Sequence, residues 1–436
     1  MKFYWKQPMW PRSCQGHLVL KVAALALLGG LAFRVLFSPS VDFSPDSRSP
    51  VVDKVTLPNV PVRDNSVLPP TESQDEVDSS PGPEKCDLFK GDWIPNPSGP
   101  VYTNRTCRFI ETHQNCMTNG RPDTRYLYWR WNPRNCELLP FDARRFLDLM
   151  RGKTWALIGD SISRNHGQSL LCMLSTVERP ELVYHDEDYK SRRWHFNSYN
   201  FSFSVIWSPF LVKAAIFEDI NGVSTSEVEM HLDRLDSKWT SLFPSLNYAI
   251  ISTGKWFLKN SIYYEDGTVV GCHNCDKSKR NVTELGFDFA YRKVLHQVMD
   301  HVVTSGHKGM IFFRTSTPDH FENGEWHNGG TCPKTVPSKE GEIELKDLNR
   351  ILLDIELGEF KQAKEAAEQS GVNLQLLDFT NLNLMRPDGH PGPYRQYHPF
   401  AKDKKAKVQN DCLHWCLPGP IDAWNDVIMD MVLNSS

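Results

Sequence analysis

The junction that most constrains this chain lies at residues 155–174. An apolar run, Trp155-Ala156-Leu157-Ile158, is followed by Gly159-Asp160-Ser161 and then by a helix-forming run, Ile162 to Leu174. Strand, tight turn and helix in that order place Ser161 at the C-terminal edge of a sheet and at a helix N-terminus. Further strand-like runs follow at Asn200–Trp207, Tyr248–Ser252, Gly309–Arg314 and Leu374–Phe379, with helices predicted over Phe289–Thr304 and Leu345–Ser370. Apolar strands separated by helices predict an α/β fold with a parallel sheet covered by helices on both faces. In such sheets ligands bind beyond the carboxyl ends of the strands, where Ser161 falls.

A serine hydroxyl is a weak nucleophile until a base takes its proton. Asp411-Cys412-Leu413-His414 supplies a candidate base, His414, with Asp411 three residues away to hold its tautomer. The competing reading of Asp411 is a cap for the segment that follows. Around Ser161, the serine's own backbone N–H points out of the helix start and is a candidate oxyanion donor. Arg164 and Asn165 lie three and four residues on, on the same helix face, and are further oxyanion candidates. Ordinary helix-surface or capping work is the alternative for both. No Gly-x-Ser-x-Gly elbow surrounds Ser161, which argues against a lipase-type architecture.

The 436 residues carry a formal net charge of −4 and a pI near 6.4, so the basic footprint of a nucleic-acid partner is missing. An apolar stretch, Leu18 to Phe37, has the length of a membrane span, and Lys2, Lys6 and Arg12 precede it. The positive-inside tendency gives residues 1–17 as a cytosolic tail and 18–37 as a signal anchor, with the remainder luminal. A cleaved signal peptide is the competing reading; the length of the stretch and the lack of a small-x-small site favour the anchor. Residues 38–85, rich in Pro, Ser, Asp and Val, read as an extended stem. The luminal catalytic domain spans 86–436. Residues 86–141, dense in Cys, Pro, Asn and aromatics, predict a disulfide-rich, irregular lobe ahead of the core at 142–436.

Eleven cysteines are present, and Cys14 falls on the cytosolic side. The other ten predict disulfides in an oxidising lumen, with connectivity left open. Cys272, His273, Cys275, Cys412, His414 and Cys416 also admit a zinc reading, against which disulfide formation competes. Sequons at Asn104, Asn200, Asn281 and Asn434 fit a luminal surface. Ring faces such as that of Trp256 can stack on a sugar, although most tryptophans belong to cores. The loop-like segments Arg314–Cys332 and Arg386–Tyr397 offer Arg314, His320, Arg386 and His390 as further acceptor-binding candidates.

The run Leu157 to Asn165 resembles the Gly-Asp-Ser block of the plant trichome birefringence-like proteins, and Asn410 to Asn425 resembles their C-terminal Asp-x-x-His block. Cys86-Asp87-Leu88-Phe89, Gly91-Asp92-Trp93, Gly120-Arg121-Pro122-Asp123 and Arg386-Pro387-Asp388-Gly389-His390-Pro391 extend the match across essentially all of Cys86 to the C-terminus. The resemblance implies a fold similar to GDSL/SGNH esterases with an added lobe. It implies a single-pass type II Golgi membrane protein that O-acetylates wall polysaccharides, with Ser161 as the acetylated nucleophile, His414 as base and Asp411 as its partner. The third and fourth blocks of SGNH enzymes are not recognisable. Lys255, in Ser252-Thr253-Gly254-Lys255-Trp256-Phe257, stands where members of the family often carry His. Gly271 to Cys275 and Ser208 to Ala214 look most like the members acting on xyloglucan or mannan, with xylan-acting members more distant. The expected partners are a hemicellulose acceptor and an acetyl donor, either acetyl-CoA or another carrier supplied by a membrane protein, with no resident cofactor or metal. A polysaccharide acetylesterase with the same triad and a non-catalytic wall-polysaccharide-binding protein are the rival functions.

Overall fold

The computed structural model describes residues 86–218, 224–276, 278 and 281–434. The tail, anchor and stem expected over residues 1–85 lie outside them. No helix among the described residues is long and apolar enough to cross a membrane.

Seven strands form the central sheet: β1 (Thr154–Gly159), β2 (Glu181–His185), β3 (Arg192–Phe196), β4 (Phe201–Trp207), β5 (Tyr248–Ser252), β6 (Met310–Arg314) and β7 (Asn373–Leu377). Their spatial order is β7-β6-β5-β1-β4-β3-β2. From β7 to β4 every pairing is parallel. The expected parallel sheet is therefore extended at one edge by two antiparallel strands, β3 and β2. The chain leaves β1 for β4 on one side and later returns to β5 on the other, so the sheet's topological switch point lies at the end of β1.

Burial explains why the parallel strands read as unbroken apolar runs. Trp155 and Leu157 of β1 face a core shared with α2 (Ser161–Leu174) and the C-terminal helix α5 (Asp422–Asn434). Ala156 and Ile158 face the opposite core, filled by α3 (Gly286–Thr304) and α4 (Asp347–Ser370). Side chains alternate across a strand, and with both faces covered every position must be apolar. A short helix, α1 (Ala143–Leu149), precedes β1 and is capped by Asp142, whose carboxylate accepts from Arg144 N and Arg145 N at 3.0 Å each.

The lobe at 86–141 is mostly irregular, as expected, but contains an antiparallel ribbon of Gly91–Pro95 with Trp129–Pro133. A four-stranded sheet built from Val212–Ala215, Val228–Leu235, Ser261–Glu265 and Thr268–His273 forms a separate layer. All ten cysteines from Cys86 on are in disulfides: 86–136, 107–172, 116–416, 272–275 and 332–412. The thiols of the zinc reading are consumed in these bonds, although Cys272, Cys275 and Glu284 lie close together.

Candidate active site

Gly159 ends β1 with φ at +151°, and a Cβ there would run into the Ser252 carbonyl of β5. Glycine is thus required for the sharp exit toward α2. Asp160 caps α2, its carboxylate accepting from Ile162 N at 2.9 Å. Burial raises the Asp160 carboxyl above its usual range, against the pull of Arg314. The half-buried Ser161 then occupies the first turn of α2, where backbone N–H groups lack intrahelical acceptors.

The structure brings Asp411, His414 and Ser161 together. His414 Nε2 lies 2.8 Å from Ser161 Oγ. His414 Nδ1 lies 2.9 Å from Asp411 Oδ2. Asp411 Oδ1 also accepts from Leu413 N at 3.2 Å and His414 N at 3.0 Å, so the capping role and the ring contact coexist in one carboxylate. Burial alone would raise the Asp411 carboxyl; the His414 ring and these hydrogen bonds outweigh it and hold the group well below the usual carboxylate range. A carboxylate that stays ionised fixes Nδ1 as the donor and leaves Nε2 free to accept the Ser161 proton.

Residues 411–417 are not helical, and their conformation is imposed from outside. Cys412 is tied to Cys332 and Cys416 to Cys116, one bond on each side of His414. Asp411 and Gly392 exchange backbone hydrogen bonds at 2.9 and 3.0 Å. Cys416 N donates to Gly389 O at 2.9 Å, and Leu417 N to Gln114 O at 2.9 Å.

The oxyanion and acceptor candidates divide sharply. The Asn165 amide is spent on the backbone of Trp415: Oδ1 accepts from Trp415 N at 2.8 Å and Nδ2 donates to Trp415 O at 3.3 Å. It positions the residue next to His414 and is not an oxyanion donor here. Arg164 lies over the Trp207 ring at 4.8 Å. Arg314, His320, Arg386 and His390 are between 1% and 5% exposed, so none presents a surface to a polysaccharide. Arg314 donates to Ser252 Oγ at 2.8 and 3.2 Å. Arg386 is paired with Asp388 at 2.8 Å and donates to Tyr126 O at 2.8 Å. His390 Nδ1 contacts the His414 carbonyl at 2.7 Å, and its other nitrogen contacts His320 Nδ1 at 2.7 Å. Their loop-like composition concealed this burial, because paired charges fill buried loops as well as surfaces. Trp256 alone of these five stays partly accessible, packed edge-on against Trp207. Lys255, the departure noted above, is engaged with Asp319 at 2.6 Å and with Asn349.

A seven-stranded α/β sheet with a serine, a histidine and an aspartate converging at the end of its first strand is the arrangement of an acyl-transferring hydrolase fold. Residues 138–431 match the GDSL/SGNH-like acyl-esterase family found in Pmr5 and Cas1p, and residues 84–137 match the PMR5 N-terminal domain; the chain belongs to this family. It is 58% identical over 420 residues to protein trichome birefringence-like 24 of Arabidopsis thaliana, covering 96% of each chain. It is 44% identical over 362 residues to xyloglucan O-acetyltransferase 1 of the same plant, covering 83% of each. Xyloglucan O-acetyltransferase 1 of Populus trichocarpa is 43% identical over 353 residues, 80% of this chain and 81% of the relative.

Proposed function

We propose that the protein transfers acetyl groups to hydroxyls of a cell-wall hemicellulose, with xyloglucan the first acceptor to test, then mannan and xylan. The observation that carries this reading is the 2.8 Å contact between His414 Nε2 and Ser161 Oγ, in a chain related to xyloglucan O-acetyltransferases. His414 takes the Ser161 proton as Ser161 Oγ bonds to the acetyl carbon. The bond from that carbon to the donor breaks, and His414 returns the proton to the leaving group. In the second half, His414 deprotonates a sugar hydroxyl, whose oxygen takes the acetyl group from Ser161 while the proton returns to Oγ. The Ser161 N–H serves the charge that develops on the acetyl oxygen, the Ile162 N–H beside it being held by the Asp160 cap. The same reading puts the luminal domain behind a Golgi membrane anchor at Leu18–Phe37.

The acyl-esterase description of the family keeps hydrolysis as a second reading, in which water replaces the sugar hydroxyl. The test uses purified full-length protein and its Ser161→Ala variant, with an acetyl donor and xyloglucan, mannan or xylan oligosaccharides. Serine-dependent gain of acetyl mass on one oligosaccharide class supports transfer. Serine-dependent loss of acetyl from pre-acetylated oligosaccharides, without gain, replaces transfer by hydrolysis. A variant as active as the wild type removes Ser161 from the chemistry.

A further inference from the structure

A cavity of about 270 Å³ lies along the flank of α2, between that helix, the β2–β3 hairpin and the segment Arg108–Glu111. Four cations line it: Arg108, Arg164, Lys190 and Arg192. Glu111 is the acid in the same lining, and it is already paired with Arg192 at 2.9 Å. Asp186 nearby is spent on the backbone N–H groups of Lys190 and Ser191 at 2.7 and 2.9 Å. Lys190 is 3.8 Å from Asp188, a side chain 74% exposed, which is a weak solvated pair. Arg164 is more demanding. Its Nε is buried with no hydrogen-bond partner, and burial lowers its pKa. Gathering cations where Arg164 is largely desolvated is unfavourable unless an anion completes the set.

The walls add a flat apolar element. Tyr189 is 47% exposed at the cavity, with one ring face covered by His185, stacked on it at 3.7 Å, and Trp194 in the same lining is edge-on to Phe109. The position links the cavity to the reacting atoms by two routes. Arg164 is one helical turn from Ser161, a rise of about 5 Å. The chain that forms one wall continues from Glu111 to Gln114, whose carbonyl receives Leu417 N of the His414 loop.

We propose that this cavity seats the anionic, phosphorylated end of the acyl donor, an acyl thioester carried on a nucleotide-bearing arm. The inference rests on the reading of Ser161 as acyl acceptor. The volume falls below the roughly 300–1,000 Å³ of pockets that enclose a whole drug-sized ligand. It therefore suits a phosphate group and one stacked ring, with the thioester arm leading out past Arg164 to Ser161. There the Ser161 Oγ–carbon bond forms, the carbon–sulfur bond breaks, and His414 hands its proton to the departing thiolate. The cations contribute bidentate and point-charge contacts to phosphate, and the stacked His185–Tyr189 pair an exposed aromatic surface beside them.

The experiment is a calorimetric titration of the full-length protein with coenzyme A, with pantetheine, which lacks phosphate, and with trigalacturonate, an acidic sugar. Coenzyme A is expected to bind at least tenfold more tightly than pantetheine, and to weaken as salt rises. Arg108→Glu and Lys190→Glu are each expected to weaken coenzyme A at least tenfold, with melting curves showing that both variants fold. Equal affinity for coenzyme A and pantetheine, or charge-reversed variants that bind like the wild type, would overturn the proposal. Tighter binding of trigalacturonate than of coenzyme A would overturn it too, and assign the cavity to an acidic sugar. The titration reads no chemistry, so its failure is separate from failure of the serine, which shows only in the Ser161→Ala acetylation assay.

Discussion

Asn165 clasps Trp415 across 250 residues of sequence, offering its carbonyl to the Trp415 N–H and its amide to the Trp415 carbonyl. One helix thus carries the serine at its first turn and, one turn on, the clamp that holds the neighbour of His414. The Ser161–His414 distance is therefore set by a single rigid element. Helix, clamp and the two flanking disulfides do for the irregular 411–417 segment what backbone ladders do for a strand.

Asn165→Ala leaves the Trp415 N–H and C=O without their buried partner. The cost is about 1–3 kcal/mol for each unsatisfied group, and a displacement near 1 Å at His414 lowers catalysis about 100-fold. Steady-state kinetics are expected to show the loss in kcat with KM nearly unchanged. A variant with normal kcat would mean that the disulfides alone position His414.

Asp411→Asn keeps an oxygen for the Leu413 and His414 N–H groups but replaces the anion that selects the His414 tautomer. Because Asp411 is held below the usual carboxylate range, it is ionised at every pH where the fold is stable. The variant is expected to lose about 10³–10⁴ in kcat while melting within a few degrees of the wild type. A loss below tenfold would show that Asp411 acts as a structural cap only.

How much of this was legible in the sequence follows from the range of each interaction. The strand–turn–helix at Ser161, the parallel strands and the long helices α3 and α4 show in local pattern, because two-sided burial writes unbroken apolar runs. Ser161, His414 and Asp411 were legible as motifs, and their placement depends on α2 and the tethered loop. The C-terminal helix α5 and the antiparallel β2–β3 edge were missed. Strand β2 is exposed along its whole length, and its apolar residues, Leu182, Val183 and Tyr184, follow one another without the alternation that marks a half-buried strand. The burial of Arg314 and Arg386 was hidden because their partners, Ser252 and Asp388, lend them no apolar pattern. Asn165 was found on the correct helix face, but its partner is set by tertiary structure alone.

The disulfides divide by the length of chain they close. Cys116–Cys416 spans 300 residues and anchors the His414 loop, whereas Cys272–Cys275 spans three. Chain-entropy scaling with loop length makes the long bridge worth about 4 kcal/mol more than the short one. Replacing both members of the 116–416 pair by Ala is expected to lower the melting temperature by many degrees and to abolish serine-dependent turnover. The same change at 272–275 is expected to do far less of either. Equal losses would show that residues 272–275 are coupled to the site.

Three buried carboxyls set the dependence of stability on pH. Burial raises Glu356 to about 7, Asp422 to about 6 and Asp426 to about 7. Each of these acids has a higher pKa folded than unfolded, so between the two values the folded state binds more protons. Stability is then greatest with the groups protonated and falls as pH rises from about 4.5 to 7. Asp319 and Asp411 act in the opposite sense: both are held below the usual range in the folded state, so their stabilisation is lost as pH falls below about 4. The melting temperature is therefore expected to peak near pH 4 and to decline as pH rises toward 7. Glu356 receives a hydrogen bond from Tyr291 at 2.5 Å and from Ser316 N at 3.1 Å, and glutamine can engage the same partners without charge. Glu356→Gln is expected to match the wild type near pH 4 and to melt higher at pH 8, by an amount on the order of 3 kcal/mol at most. A variant that is less stable at pH 8 would show that the ionised carboxylate is needed there, with Arg314 as its buried counter-charge.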